Sequence, residues 1–400
     1  MKPHRSPSWF ACVSLLLCLA FLGVVFFLAA RQIVAASAYP DFFTFWLAGH
    51  LLSLGQSPYD AGLWLAGHAR FGIAWIPNQT FIYPLPLGLL FTPFGLLPYR
   101  TAFVVWLVLL QFMMLAAAAL LLKPWPPALV RRLFPPLLAG LLIFRPTILT
   151  VDYGQLSGML LLVLAGGVAL WEKEKWWQGG AVLALLALKP NLGVPILALL
   201  SFYLLLRKRW AALAAEAASG LALLLAGWAV DPGWVGSFLR AGGAKLSQTF
   251  GFSPTVWGAS TLLCAYRLNC VVALGGTMGL VLLAGVVTLI AVERARLTPS
   301  LAAGLAVAAT LLLTPYTWTY DQFLLALPIF AVLLGLAGKG GRPLPAFLIF
   351  MTIDVLAFVL LGVSARTRLE VWSVAVPLAV LGLEAWYLVR HASPAGSGTA

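Results

Sequence analysis

Acidic residues are scarce in this chain: 12 Asp and Glu stand against 25 Lys and Arg in 400 residues, and all charged residues together make up only 9%. A soluble domain carries about 25% charged residues, so a water-soluble globular fold is excluded. The formal charge of +13 does not point to nucleic acid, because the basic residues sit in short breaks such as Arg207-Lys208-Arg209 and no long basic face lies outside the apolar runs. There is no GxSxG, no HExxH and no Walker-type phosphate loop. The four histidines, His4, His50, His68 and His391, are scattered without metal-ligand spacing. Cysteine is equally sparse. Cys12 and Cys18 fall inside the first apolar run as small core residues, whereas Cys264 and Cys270 lie near the end of an expected external segment, where a bridge is permitted but not required.

What is abundant is apolar residues, at 62% with a mean hydropathy of +0.98. Runs able to cross about 30 Å of hydrocarbon recur from Trp9 to Leu388, separated by short breaks rich in Gly, Pro, Trp or basic residues. The expected fold is an all-α polytopic membrane protein of about 11–13 membrane segments, some short or re-entrant, forming a single domain over residues 1–390 with a disordered tail at 391–400. The first run, residues 9–30, reads as an uncleaved helix with a cytoplasmic N-terminus, since its apolar stretch exceeds that of a cleaved signal. From residue 173 onward basic breaks alternate with the spans, and the run around Lys189-Pro190 reads as a hairpin with its tip near the outer face. Parity over residues 82–150 stays open, with either 82–98 or 134–149 as a candidate re-entrant segment. In the first external loop, residues 31–81, Phe43, Trp46, Leu47, Leu51 and Leu54 recur opposite Thr44 and Ser53, which predicts an amphipathic helix lying in the interface, with a second over the stretch following Asp60.

With so few acids each one can be weighed. Glu172, Glu174 and Glu293 stand among basic residues at helix ends, and Asp60 suits a turn or helix cap. Glu216, Glu370 and Glu384 lie near span ends, where a partner or an interfacial position suffices. Asp354 falls near the middle of a span and should face the bundle interior. Asp41, Asp152 and Asp321 differ, because each occurs at an expected outer helix end beside aromatic and polar residues, in "YPDFF", "VDYGQ" and "TWTYDQ". Carboxylates gathered on one face could hold a base, bind sugar hydroxyls or ligate a metal, the plainer alternative being helix caps or salt bridges.

The blocks "YPDFFTFWLAGHLLSLGQSPYD", "FIYPLPLGLLFTPFGLLP", "GQLSGMLLLVLAGGVAL", "LALKPNLGVPILALL" and "LLLTPYTWTYDQFLLALPI" together resemble, in order, glycosyltransferase family 87 of the GT-C superfamily. The resemblance covers roughly residues 10–340 and implies a GT-C-type helical bundle. It implies a transferase that uses a polyprenyl-phosphate sugar, commonly mannose, on the extracytoplasmic side of a bacterial plasma membrane. The family's catalytic aspartate maps onto Asp41. The family's histidine after Ser/Thr-Trp has no counterpart, since this chain reads Thr317-Trp318-Thr319-Tyr320-Asp321.

On this reading Asp41 takes the proton of an acceptor hydroxyl in an inverting displacement. Lys189, with Arg366 and Arg368, would bind the donor phosphate, while Asp152, Tyr153, Gln155, Trp318, Tyr320 and Asp321 would line the sugar or acceptor site. The expected partners are the lipid-linked donor, a lipid or glycan acceptor and membrane lipids, with no nucleic acid. No cofactor is indicated; a divalent metal is permitted by the aspartates, but no DxD pair argues for it. The rival reading is a secondary transporter or flippase of a lipid-linked substrate, which would show an inverted repeat and acids at paired mid-membrane breaks.

Overall fold

The computed structural model describes residues 41–73, 80–338 and 343–391. The expected first helix with Cys12 and Cys18 and the tail beyond His391 lie outside the described residues. Every regular element among the described residues is helical: α1 Phe42–Ser53, α2 Ala61–Phe71, α3 Leu85–Gly95, α4 Tyr99–Leu122, α5 Pro127–Ile143, α6 Arg145–Asp152, α7 Ser157–Trp171, α8 Trp176–Leu183, α9 Pro190–Leu206, α10 Trp210–Val230, α11 Trp234–Thr249, α12 Val256–Leu263, α13 Leu268–Glu293, α14 Pro299–Leu313, α15 Ala326–Gly338, α16 Pro343–Thr367 and α17 Ala375–His391, with short 3-10 turns at Ala184–Leu188 and Thr319–Leu325. Six helical stretches are long and apolar enough to span a membrane, and α6 with α7, bent by 119° at their break, would make a seventh. The protein is a polytopic membrane helical bundle.

Hydrocarbon leaves backbone groups no partner but each other, so the spans are helical and their breaks must be enclosed by protein. Helix α14 is the axis of the bundle. It is apolar on all sides and buried without interruption from Leu301 to Leu312, as a helix surrounded by other helices must be.

The breaks sort to two ends. At one end Arg207 donates to the carbonyl of Arg294 at 3.1 Å, Arg209 pairs with Glu174 at 3.3 Å, and Ser300 bonds Glu172. Leu121 and Pro124, at the end of α4, line a small cavity there with Glu172 and Ser300. That juxtaposition resolves the open parity: the break after α4 lies at the basic end, so α4 crosses to it and the α5–α6 segment returns. Helix α3 instead packs against α1 in a layer at the opposite end, so the non-crossing segment is 82–98.

That α1–α3 layer depends on glycine. A Cβ on Gly49 would lie 2.2 Å from the Phe91 carbonyl oxygen, and one on Gly95 would lie 2.3 Å from the Gly49 backbone. The close crossing encloses most of α1: Phe42, Phe43, Phe45, Trp46, Leu47 and Ala48 are all buried. This corrects the expectation that α1 lies amphipathically in the interface. Its apparent polar face is Thr44, which is itself buried, and Ser53, whose hydroxyl donates back to the His50 carbonyl at 2.7 Å. Short hydroxyl side chains can satisfy themselves locally and so do not mark a wet face. Helix α2 does follow the expected pattern, with Trp64 and His68 buried and most other positions exposed, and Asp60 caps it by accepting from the Leu63 amide at 2.9 Å.

Asp354 faces the interior as expected, at 2% exposure. Glu384 does not match its expected boundary position: it is fully buried within α17, and among the described residues neither of its carboxylate oxygens has a hydrogen-bond partner. Cys264 and Cys270 form a disulfide across the turn from α12 to α13.

Replacing Gly49 with Val should drive a side chain into backbone that cannot move aside, at a cost of about 1–3 kcal/mol. Thermal unfolding in detergent should show a lower midpoint for G49V and little change for Gly220→Val, whose Cβ would meet open space.

Candidate active site

Four interruptions of helical structure meet at the end opposite the basic turns. They are the start of α1 at Asp41, the α6–α7 break at residues 153–156, the junction at Lys189, and the segment 314–319 after α14. Gly154 sits in the α6–α7 break at φ +62°, a left-handed conformation that a side chain disfavours. Its carbonyl accepts from Trp106 Nε1 at 2.8 Å, and the neighbouring Tyr153 carbonyl accepts from the Phe42 amide at 3.1 Å. The second bond fixes the start of α1, and with it Asp41, against the turn that carries Gln155. A Cβ on Gly154 would lie 2.9 Å from that of Phe42.

The side chains form one connected chain. Lys189 Nζ pairs with Asp321 Oδ1 at 2.5 Å, both residues being 1% exposed. Lys189 also donates to Gln155 Oε1 at 3.3 Å, and Gln155 Nε2 donates to Asp41 Oδ2 at 2.5 Å. Asp321 is surrounded by further donors: Ser157 Oγ at 3.2 Å, Thr317 Oγ1 at 3.0 Å and the Trp318 amide at 3.1 Å. Burying a charge is costly unless it is paired and its remaining sites are hydrogen-bonded, and Asp321 meets both conditions.

Asp41 is different in kind. It stands at the N-cap of α1, yet its carboxylate caps no backbone amide. Among the described residues its carboxylate accepts only from Gln155, and the residue is half-buried. Burial pushes its carboxyl above the ordinary range. The Gln155 bond and the charges of Lys189 and Lys245 pull it back, and the charge of Asp321 adds to the rise. Burial in turn lowers Lys245, against a raising effect of Asp41, so these two groups lie within electrostatic reach of each other.

Beside this chain runs a groove of about 280 Å³, walled by the first turns of α9, the face of α11 that carries Phe238 and Lys245, Tyr83 and the 314–316 segment. Asn191 Nδ2 donates to the Tyr316 carbonyl at 2.8 Å and Thr314 Oγ1 to the Asn191 carbonyl at 2.8 Å, which locks α9 to that segment. Burial, followed by the Asp41 charge, raises the Tyr316 hydroxyl.

Of the residues singled out from sequence, Asp41, Gln155, Lys189 and Asp321 come together, with Tyr320 under Lys189 (5.1 Å from ammonium to ring centre) and Tyr153 beside Tyr320 (6.0 Å between rings). Trp318 borders the cluster through its amide. Asp152 ends α6, half-buried, one residue before the turn. Arg366, in the last turn of α16, and Arg368, just after it, are exposed, and among the described residues no hydrogen bond or ion pair joins them to the cluster. Lys189, expected at a phosphate, has its charge matched by Asp321. Sequence reasoning passed over Ser157, Thr317 and Lys245. The first two lay within the quoted blocks, each beside a flagged acid or amide, whereas Lys245 follows an unremarkable "RAGGA".

A sequence model of glycosyltransferase family 87 matches residues 81–315, more than half of the chain. The match takes in Gln155, Lys189 and Lys245, while Asp41 and Asp321 flank it. No curated protein and no solved structure matches the chain.

Removing one partner of the buried pair leaves the other uncompensated. Lys189→Met or Asp321→Leu alone should each destabilise by about 3–5 kcal/mol, while the double replacement should recover much of that loss. Asp41→Asn keeps the shape and should hardly move the unfolding midpoint. Denaturation of the four variants in one detergent checks the set.

Proposed function

The chain belongs to glycosyltransferase family 87, and from that premise we propose that this membrane glycosyltransferase moves a sugar, mannose by the family resemblance, from a polyprenyl-phosphate donor to a lipid or glycan hydroxyl, with Asp41 as the base. The observation that carries this reading is the Asp41 carboxylate itself: half-exposed, held in one orientation by Gln155, unused as a helix cap, and beside an apolar groove. A general base needs a free oxygen, a fixed direction and a pKa near working pH.

In the proposed reaction the acceptor oxygen attacks the anomeric carbon on the face opposite the phosphate, the acceptor proton passes to Asp41, and the phosphate leaves with the bonding electrons. Asp321 and Lys189 act on Asp41 through Gln155 and position it. Tyr153, Trp318 and Asp152 border the site where the sugar or acceptor would lie, and Arg366 and Arg368 sit at the end of α16.

Two observations support an extracytoplasmic site in a bacterial plasma membrane. The basic turns collect at the end opposite Asp41, as cytoplasmic turns do. The Cys264–Cys270 disulfide lies at the start of α13, whose far end carries Arg294 and Arg296 of the basic side, and disulfides persist in oxidising compartments. Helix α14 then returns from that basic side to residues 314–321. Membership of a transferase family argues against the transporter reading.

Purified Asp41→Asn should lose transfer from a polyprenyl-phosphate sugar by roughly 100-fold or more while remaining folded; normal turnover in that variant would rule out the base. Comparing lipid-linked glycans in cells with and without the protein would name sugar and acceptor. The active form of the base is the carboxylate, so kcat/KM should rise with pH through the raised pKa of Asp41. Its acid limb should therefore lie above the ordinary aspartate value of about 3.9.

A further inference from the structure

We propose that Lys245, on α11, holds the phosphate that links the sugar to its lipid carrier, in the groove between α11 and α9; the assignment rests on the transferase reading above for the identity of the donor. The argument begins with elimination among cations. Lys189 is matched by Asp321 at 2.5 Å. Arg145, buried on α6, donates to Ser373 at 3.1 Å and is not among the residues that line the groove. Arg366 and Arg368 are exposed at the end of α16. Lys245 is the single charged residue among those lining the groove, and it lies within electrostatic reach of Asp41.

The groove's chemistry suits an amphiphile. Ile82, Val194, Phe238 and Leu246 make apolar walls, and Tyr316 at the groove lies within electrostatic reach of Asp41. Val194 is 55% exposed on the outer face of α9, so the groove opens onto an apolar surface. At about 280 Å³ it is below the usual size of a pocket for a drug-sized ligand. It therefore suits a head group, with the hydrocarbon chain left along the helices outside. One cation matches the single negative charge of a phosphodiester.

Charge balance gives Lys245 a continuing role through the step. The new bond joins the acceptor oxygen to the anomeric carbon, and the bond from that carbon to the phosphate oxygen breaks with its electron pair kept by the phosphate. The acceptor proton ends on Asp41. One negative charge thus vanishes from Asp41 and one appears on the leaving phosphate, both within the field of the same ammonium, so the transfer is a displacement of charge past a fixed cation.

The test uses farnesyl phosphate, which has the lipid and the phosphate but no sugar, with farnesol and inorganic phosphate as separate arms. Wild type should bind farnesyl phosphate, and Lys245→Gln should weaken that binding roughly 10- to 100-fold. Lys245→Arg should restore most of it, and farnesol should bind both forms alike. In the transfer assay K245Q should raise the donor KM more than it lowers kcat, leave the acceptor KM unmoved, and shift the acid limb upward because a charge favouring ionised Asp41 is gone. Equal farnesyl phosphate affinity in wild type and K245Q overturns the assignment, as does inorganic phosphate binding as tightly as farnesyl phosphate. Because Lys245 is partly exposed, K245Q should fold; Val194→Trp, which narrows the mouth, gives an independent check and should weaken farnesyl phosphate without touching the cation. If wild type transfers sugar from no polyprenyl-phosphate donor while K245Q still loses farnesyl phosphate, the transferase reading falls and the phosphate site stands.

Discussion

The ion pair between Lys189 and Asp321 is the constraint on which the active end of this bundle depends. Each residue sits where a membrane helix has been interrupted, and each interruption frees backbone groups that hydrocarbon cannot satisfy. The pair closes these breaks on one another. Asp321 gathers Ser157 from the start of α7, Thr317 and the Trp318 amide from its own segment, and Lys189 from the junction before α9. Two charges so deeply buried are not favoured by their mutual attraction alone, because desolvation roughly cancels it. The additional donors tip the balance, and they fix which three elements must meet.

That meeting point explains why the enclosed charges gather at one end. At the opposite end Arg209 and Glu174 are also paired, but with their side chains 34% and 70% exposed, in a setting where an ion pair contributes little. Those turns need no precise geometry, and their role is to hold basic residues on one side. At the active end the charges are enclosed, so small displacements matter, and the surrounding structure is correspondingly tight: Gly154 in a left-handed turn against Phe42, and Gly49 against the backbone of α3. Similar close approaches join the other helices, as where a Cβ on Gly180 of α8 would lie 2.3 Å from the Ala212 carbonyl oxygen of α10, so the layer of α1 and α3 that carries Asp41 shares the tight packing of the helices that anchor it.

What could be read from sequence follows from what rarity and periodicity encode. In a chain with 12 acids, an aspartate at an outer helix end is conspicuous, so Asp41 and Asp321 were legible, as were the hairpin tip at Lys189 and the interior direction of Asp354. Partnership was not. Asp41 and Asp321 look equivalent as residues in aromatic surroundings, yet one is saturated by four donors and the other is left with one, a distinction that exists only once the breaks converge. Periodicity also misled at α1, because Thr44 and Ser53 look like a polar face even though the layer above covers it. Glu384 sits in "GLEAWY" near a chain end and reads as a boundary residue; only the packing of α17 against Gly304 puts it inside. Lys245 had no local signal at all, since its significance is the groove it faces across another helix.

The polarity of the connected chain settles how the buried pair can act at a distance. Lys189 has only hydrogens to offer, so the amide of Gln155 must turn its oxygen toward Lys189 and its NH₂ toward Asp41. With that orientation forced, Gln155 can only donate to Asp41, and an ammonium on its oxygen polarises the amide and strengthens the donation. The charged form of Asp41 is therefore favoured from one side through a neutral side chain, while burial disfavours it. The two effects oppose each other, and burial is the larger, which leaves a carboxylate more basic than an ordinary aspartate yet held in a single orientation. The intervening glutamine keeps the positive charge close enough to orient Asp41 and far enough away to leave it able to take a proton.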